Sequence, residues 1–232
     1  MERCCPVIST YSHTTQPEEL LRVGTEKLGL ILDASTLRQF LYYADELLKW
    51  NTRINLTGQK TTQEVVVKHF LDSLAVWTRV KDLESLVDIG TGAGFPGLPL
   101  KLVLPHLHLT LIEPTAKKTA FLHFVIAHLK LSEVEVRQIH LTAPEAHKMG
   151  PSFHGVITRA TFSLDHYIEI GAPLVKPGGR LVAMKGPYLE EAQWQEAVRK
   201  AARHHLQPPE KHEYSLPLSE ERRLLVIWEK LA

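Results

Sequence analysis

Only two cysteines occur in 232 residues, and Cys4 and Cys5 stand side by side near the N-terminus. With no further cysteine to pair with, a disulfide framework is excluded and a reduced compartment, the cytoplasm, is expected. No segment approaches the ~18 uninterrupted apolar residues that a membrane helix needs, and the first twenty residues lack a hydrophobic signal core, so neither a span nor export is expected. There is no internal repeat and no low-complexity tract. Neither sign of charge dominates: 27 Lys plus Arg oppose 26 Asp plus Glu, for a net charge of +1, so charge alone demands no nucleic-acid partner, although a local basic face has room to form. His69 has no second and third ligand at a helical interval, and no metal is expected. No convincing Ser-His-Asp, Cys-His or paired-carboxylate constellation is found either.

What is present is 44% apolar residues, enough for one full core and a small extension. Residues 1–17 lack periodicity and are expected to form a poorly ordered tail. Residues 18–80 read as a helical extension. Leu20, Leu21, Val23, Leu28 and Leu30, then Leu37, Phe40, Leu41, Ala44, Leu47 and Leu48 recur at helical spacing, with Asp33-Ala-Ser35-Thr36 as a cap and Asn51 as a stop. A further helix from Glu64 to Trp77 shows Val66, Val67, Phe70, Leu71, Leu74 and Ala75 on one face.

From residue 81 the pattern changes. Strand-like runs Leu83–Ile89, Leu107–Glu113, Val134–Ile139, Gly155–Thr158 and Arg180–Lys185 alternate with helical stretches Leu98–Leu104, Ala116–Leu129, Leu164–Leu174 and Tyr188–His205. Such alternation predicts an α/β fold, a mostly parallel sheet with helices on both faces. The chain closes with Tyr214–Leu218 and Arg223–Trp228, read as an antiparallel hairpin added to the sheet edge for a total of seven strands.

The first strand runs into Asp88-Ile-Gly90-Thr91-Gly92-Ala-Gly94-Phe95-Pro-Gly97, and Glu113 ends the second strand a little over twenty positions later. Glycines let a strand turn sharply into a helix and bring the backbone within contact distance of a ligand. A carboxylate at the next strand tip can accept two hydrogen bonds from a ribose diol. The glycine spacing alone fits a dinucleotide as well as S-adenosylmethionine. Asp88, two residues before the first glycine, suits a ligand carrying an ammonium group and is poorly placed beside a pyrophosphate, which tilts the reading toward the methyl donor.

Taken with Leu48-Lys-Trp50-Asn51, Asn55-Leu56-Thr57, His69-Phe-Leu-Asp72-Ser73, Lys117-Lys118-Thr-Ala-Phe121-Leu122, Thr158-Arg159-Ala160, Lys176-Pro-Gly-Gly179 and Lys185-Gly186, this loop makes the chain resemble the RsmG (GidB) family from about Leu37 to Trp228. The resemblance implies a Rossmann-like class I S-adenosylmethionine methyltransferase that acts on N7 of one guanine in the decoding-region loop of bacterial 16S rRNA. It implies Asp88, Gly90, Thr91, Gly92, Gly94, Phe95, Glu113, Pro114, Pro144, Glu145 and Arg159 around the cofactor. Arg159 and Lys185, at the ends of the fourth and fifth strands, are the expected catalytic pair, each with a plain alternative as a strand-end ion pair or a solvated lysine. Lys117, Lys118, Lys185 and Arg222 are expected to touch RNA, with Lys49, Arg53, Lys60, Lys68 and Arg223 in segments that could join them. His69 and Asp72 suit a lid over the cofactor or an RNA contact as well as a packing and capping role; Asn51 and Asn55 read as helix caps. Where relatives carry an Arg-x-Glu segment after the third strand, this chain reads Ala143-Pro144-Glu145, leaving Arg137 or His140 as stand-ins for the arginine.

Guanine N7 already exposes a lone pair, so methylation needs no proton removal, and the missing base constellation is consistent with it. The expected partner is 16S rRNA or the small ribosomal subunit; a monomer is the default assumption. Two other readings stay open at this point: a nicotinamide-dependent oxidoreductase built on the same glycine loop, and a ribosome-assembly factor that keeps the fold without catalysis.

Overall fold

The computed structural model describes residues 16–232; most of the expected N-terminal tail, with both cysteines, lies outside the described residues. Pro17 is not part of an irregular tail: it opens helix α1 (Pro17–Lys27), where its missing N–H costs nothing because the first turn's donors have no intrahelical partner. Helix α2 (Ala34–Asn51) begins where Asp33 accepts a hydrogen bond from the Thr36 N–H at 2.7 Å, as the sequence predicts.

The helix expected over Glu64–Trp77 is broken into pieces. Thr61 and Glu64 form a capping box for α3 (Thr62–Val65), a π-helical turn follows over Val66–Leu71, and then come α4 (Asp72–Leu74) and a 3-10 turn, Trp77–Arg79. The wide π turn leaves Val66, Val67, Phe70 and Leu71 in the core and brings His69 and Asp72 to one side.

Seven strands form one sheet: β1 (Ser85–Ile89), β2 (His108–Ile112), β3 (Val134–Arg137), β4 (Phe153–Arg159), β5 (Val175–Lys185), β6 (Glu210–Ser215) and β7 (Arg222–Glu229). Their order is β3-β2-β1-β4-β5-β7-β6, parallel through β5, with β7 antiparallel to β5 and β6 antiparallel to β7. The order reverses direction between β1 and β4, the position at which open α/β sheets hold their ligands.

Strand alternation feeds two cores. Leu86, Leu109, Leu111, Ile157, Val182 and Met184 face a cluster completed by α1, α2, the π turn, α5 (Gly97–Val103) and α6 (Ala116–His128). Val87, Ile89, Val156, Leu181 and Ala183 face the other, with α7 (Ala143–Met149), α8 (Leu164–Gly171) and α9 (Glu191–Arg203). Each large aliphatic side chain buried this way stabilises the fold by about 1.5–3 kcal/mol. The extension thus shares its core with the sheet.

Several boundaries differ from expectation for local reasons. The Leu164–Leu174 helix tightens into a 3-10 turn at Ala172–Leu174, since Pro173 lacks an N–H for the α pattern. Pro177-Gly178-Gly179, just beyond the expected helix, lies inside β5, where the register against β4 shifts and Gly178 adopts φ 75°. The last helix starts at Glu191, because Glu190 is extended, and Tyr188 stays in a loop. Strand β6 begins four residues before the expected start at Tyr214 and ends three before the expected end at Leu218: Pro217 cannot donate to a ladder and Leu218 has φ 61°.

Candidate active site

The glycine loop is built around Asp88, which is fully buried. Its Oδ2 accepts from Thr91 Oγ1 at 2.6 Å and from the Gly97 N–H at 2.9 Å, tying both ends of the loop to the strand tip. Its Oδ1 is buried with no partner. Burial pushes the carboxyl up to about 6, and the bonds from Thr91 and Gly97 oppose that rise. Gly97 has to be glycine, since a Cβ there would lie 2.6 Å from Leu111 and 3.0 Å from Asp88 Oδ2.

Gly90, Gly92 and Gly94 have φ of 72°, 61° and 104°. At Gly92 no heavy atom lies within 4 Å of where a Cβ would stand, so the backbone borders open space. Glu113, at the tip of β2 and 3% exposed, reaches across to it: Oε2 accepts from the Gly92 N–H at 3.1 Å and Oε1 from the Thr115 N–H at 3.0 Å. Lys118 stands 3.8 Å from Oε1, while Pro114 and Lys117 are exposed beside it.

The extension grips the loop from behind. Tyr43 on α2 is fully buried, donates its hydroxyl hydrogen bond to the Ala93 carbonyl and stacks on Phe95 at 5.5 Å between centroids. Burial raises its phenol well above the usual value, so it remains a donor. Its position three residues after Phe40 and four before Leu47 was the available sequence signal, because that spacing puts all three on one helical face.

Phe95 also supports the second half of the site. The His69 ring stacks on it at 4.5 Å, and the Arg159 guanidinium lies over it at 5.1 Å. Arg159 Nη1 donates to Asp72 Oδ2 at 3.2 Å and to the Lys68 carbonyl at 3.4 Å, and Nη2 meets His69 Nδ1 at 3.0 Å. His69 Nε2 is 2.6 Å from Thr57 Oγ1, and Asn51 holds the Thr57 segment by accepting from the Leu56 and Thr57 N–H groups and donating to the Thr57 carbonyl. Asp72 Oδ1 accepts from the Tyr214 hydroxyl at 3.1 Å and faces Arg223 at 3.8 Å. His69 and Asp72 thus fix the arginine at the end of β4, and the His69 ring also packs on Phe95.

These groups border a cleft of ≈ 330 Å³ lined by Lys68, Arg159, Lys185 and Arg223 among others. Lys185 Nζ donates to the Phe162 carbonyl, and burial lowers its pKa. Thr161 Oγ1 reaches the Gly90 carbonyl at 3.4 Å, joining cleft and glycine loop.

Other expected residues stand apart. Glu145 is exposed and completes a capping box with Thr142 at the start of α7, beside exposed Pro144. Arg137 is paired with Glu135 and His140 is exposed. Arg222 is exposed and paired with Glu213; its neighbour Arg223 is the one at the cleft. Tyr214 carried no usable signal, lying in a strand that reads as charged and polar. Among the described residues no group of His, Cys, Asp and Glu is placed to hold a metal, and no helix is long and apolar enough to cross a membrane.

Comparison with known proteins agrees with this geometry. Among solved structures, a SAM-dependent O-methyltransferase from Thermotoga maritima matches the fold with TM-score 0.54 at 14% identity, over 82% of this chain and 71% of that one. A SAM-dependent methyltransferase from Aquifex aeolicus matches with TM-score 0.53 at 14% identity, over 72% and 93%. Ribosomal RNA small subunit methyltransferase G of Myxococcus xanthus is 39% identical over 216 residues, 92% of this chain and 97% of the relative. The protein of the same name from Geotalea uraniireducens is 38% identical over 219 residues, 93% and 97%. The model of the GidB family, described as rRNA small subunit methyltransferase G, matches residues 36–222. The nicotinamide reading of the glycine loop falls with that match, and the chain belongs to the GidB family of methyltransferases.

Proposed function

We propose that this chain transfers a methyl group from S-adenosylmethionine to N7 of a guanine in the decoding-region loop of 16S rRNA. The observation that carries the proposal is one strand edge holding both a carboxylate-flanked glycine loop and a cationic cleft, joined through Phe95. The loop fits the donor. Asp88 Oδ1 is a buried acceptor without a partner, which an ammonium group, directly or through water, would satisfy. Gly92 borders the space a Cβ would fill, and the Glu113 carboxylate suits a ribose diol. Thr91, Gly90, Gly94, Phe95 and Pro114 shape the walls; Pro144 and Glu145 are assigned to the adenine end, where the capping box orders the start of α7.

When bound, the donor supplies an electrophilic methyl on a sulfonium. The protein's task is then to hold the base in line, because N7 attacks without losing a proton. Arg159 has three of its five N–H donors engaged by Lys68, Asp72 and His69; Nε–H and one Nη2 hydrogen are left. A guanine whose N7 must face the methyl can offer only O6 to those donors, so Arg159 would read O6 alone, without the usual bidentate N7/O6 contact. Lys185, Lys68 and Arg223 would neutralise the adjoining phosphates, and Lys117 and Lys118 would extend that contact beyond Glu113.

The test is tritium transfer from labelled donor into naked 16S rRNA and into small subunits from a strain lacking this gene, followed by mapping of the labelled nucleotide. Label at N7 of a decoding-loop guanine is the expected result. Label elsewhere, or none in either substrate, overturns the assignment.

A further inference from the structure

Beside this site, the loop 186–190 between β5 and α9 carries Tyr188, 92% exposed. Every other described phenylalanine, tyrosine and tryptophan is buried or half-buried. Leaving an aromatic ring of this size in water forgoes the burial that the fold obtains from its other aromatic residues. The ring's location gives it a use. It lies three residues beyond Lys185 and two beyond Gly186, both of which line the cationic cleft. Lys185 in turn donates to the Phe162 carbonyl, so the loops after β4 and β5 are tied together at the carboxyl edge. Phe162 itself reaches within 3.4 Å of the position a Gly90 Cβ would take, which puts that loop against the glycine turn. An open ring two residues along the chain from a cleft lined by Lys68, Arg159, Lys185, Gly186 and Arg223 supplies, with those cations, the composition of a single-strand binding surface: charge for the backbone and a π-face for a base.

We propose that Tyr188 is a stacking platform for an unpaired base of the substrate RNA next to the methylated guanine. The inference rests on the RNA-methylation reading above. It differs from that reading in assigning binding to a residue outside the cofactor loop and outside the arginine network. Stacking asks only for a flat face, so the hydroxyl is dispensable and the contact tolerates different bases.

The experiment compares wild type with Tyr188→Ala, Tyr188→Phe and Tyr188→Trp in the full chain. Methyl transfer is followed on small subunits from a strain lacking the gene, with S-adenosylhomocysteine affinity and thermal midpoint measured in parallel. Tyr188→Ala should lower kcat/KM for the subunit about 5- to 150-fold, mainly through KM, while Tyr188→Phe and Tyr188→Trp stay within about threefold of wild type. The thermal midpoint and cofactor affinity should not move, since the side chain is in solvent. Wild-type kinetics in Tyr188→Ala, or an equal loss in Tyr188→Phe, overturns stacking while leaving RNA methylation intact. Failure of the wild type itself to label small-subunit RNA overturns both.

Discussion

His69 Nδ1 accepts a hydrogen bond from Arg159 Nη2 at 3.0 Å, which fixes the histidine as the neutral Nε2–H tautomer with Thr57 Oγ1 as its acceptor. Burial, followed by the positive charge of Arg159, lowers the His69 pKa to about 3. The unfolded chain, with an ordinary histidine near 6.5, therefore binds a proton that the folded chain refuses. The contribution to stability is complete above about 6.5 and is lost as pH falls from there toward 3. At pH 5 the loss is at most about 2 kcal/mol. Urea unfolding at pH 7.5 and pH 5.0 should show that loss in wild type and a smaller one in His69→Gln, whose amide oxygen can still accept from Arg159. Equal pH sensitivity in the two proteins would show that His69 is not the group responsible.

Tyr43 ties the helical extension to the glycine loop through a single hydroxyl, with Ala93 as the acceptor. Tyr43→Phe keeps the ring stack on Phe95 and leaves the Ala93 carbonyl without its buried donor, a loss of about 1–3 kcal/mol. Because that carbonyl lies between Gly92 and Gly94, donor affinity should fall together with stability. Calorimetry with S-adenosylhomocysteine and denaturant unfolding of the same variant check both; unchanged cofactor affinity in a destabilised protein would confine Tyr43 to a structural role.

Much of the sheet could be read from sequence because strands buried on both faces leave continuous apolar runs such as Leu181–Met184, and because Asp88, the glycines and Glu113 are fixed by spacing. The residues that stayed hidden depend on partners far away in the chain. Tyr214 and Asp72 are 142 positions apart and meet only once β6 has paired with β7. β6 itself reads Glu-Lys-His-Glu because it is an edge strand, where charge deters further pairing and apolar alternation is weak. Helix α7 was missed as well: seven residues with only Ala146 buried give no periodicity to detect. His69 and Asp72 were visible as a pair, but their common purpose depends on a π turn that nothing in the local residue types announces.

Asp88 is a case in which removing a charge should help the fold and harm the function. Its folded pKa, raised by burial to about 6, exceeds the ordinary carboxylate value, so the folded protein favours the protonated form. Stability then declines as pH rises from about 4 to 6, and the full cost is present at pH 7. In Asp88→Asn one amide oxygen can still accept from Thr91 and Gly97, while the NH₂ group replaces the unpartnered Oδ1. The free variant should be about 1–3 kcal/mol more stable than wild type at pH 7.5. Its affinity for S-adenosylhomocysteine, which bears the same ammonium, should fall at least tenfold. In wild type that affinity should weaken below pH 6, by up to about tenfold per unit, as protonation of Asp88 competes with the ligand. Affinity that is flat between pH 5 and 7.5 would remove Asp88 from cofactor recognition.

Adjacent arginines on β7 separate the two halves of the electrostatic argument. Successive strand residues point to opposite faces: Arg223 lies at the cleft, 3.8 Å from Asp72 and 2.6 Å from Glu221, whereas Arg222 is exposed and paired with Glu213. An exposed pair contributes little and is screened by salt, while a cation at the cleft mouth can replace counterions on RNA phosphate. Arg223→Ala should therefore weaken binding to small subunits and reduce the slope of log affinity against log salt by about 1, with Arg222→Ala close to wild type in both. Arg223 also stands next to Asp72, so the control is its thermal midpoint and cofactor affinity, which should change far less than RNA binding. The opposite ranking, with Arg222→Ala the weaker binder, would move the RNA path to the outer face of the β6–β7 hairpin and away from Arg159.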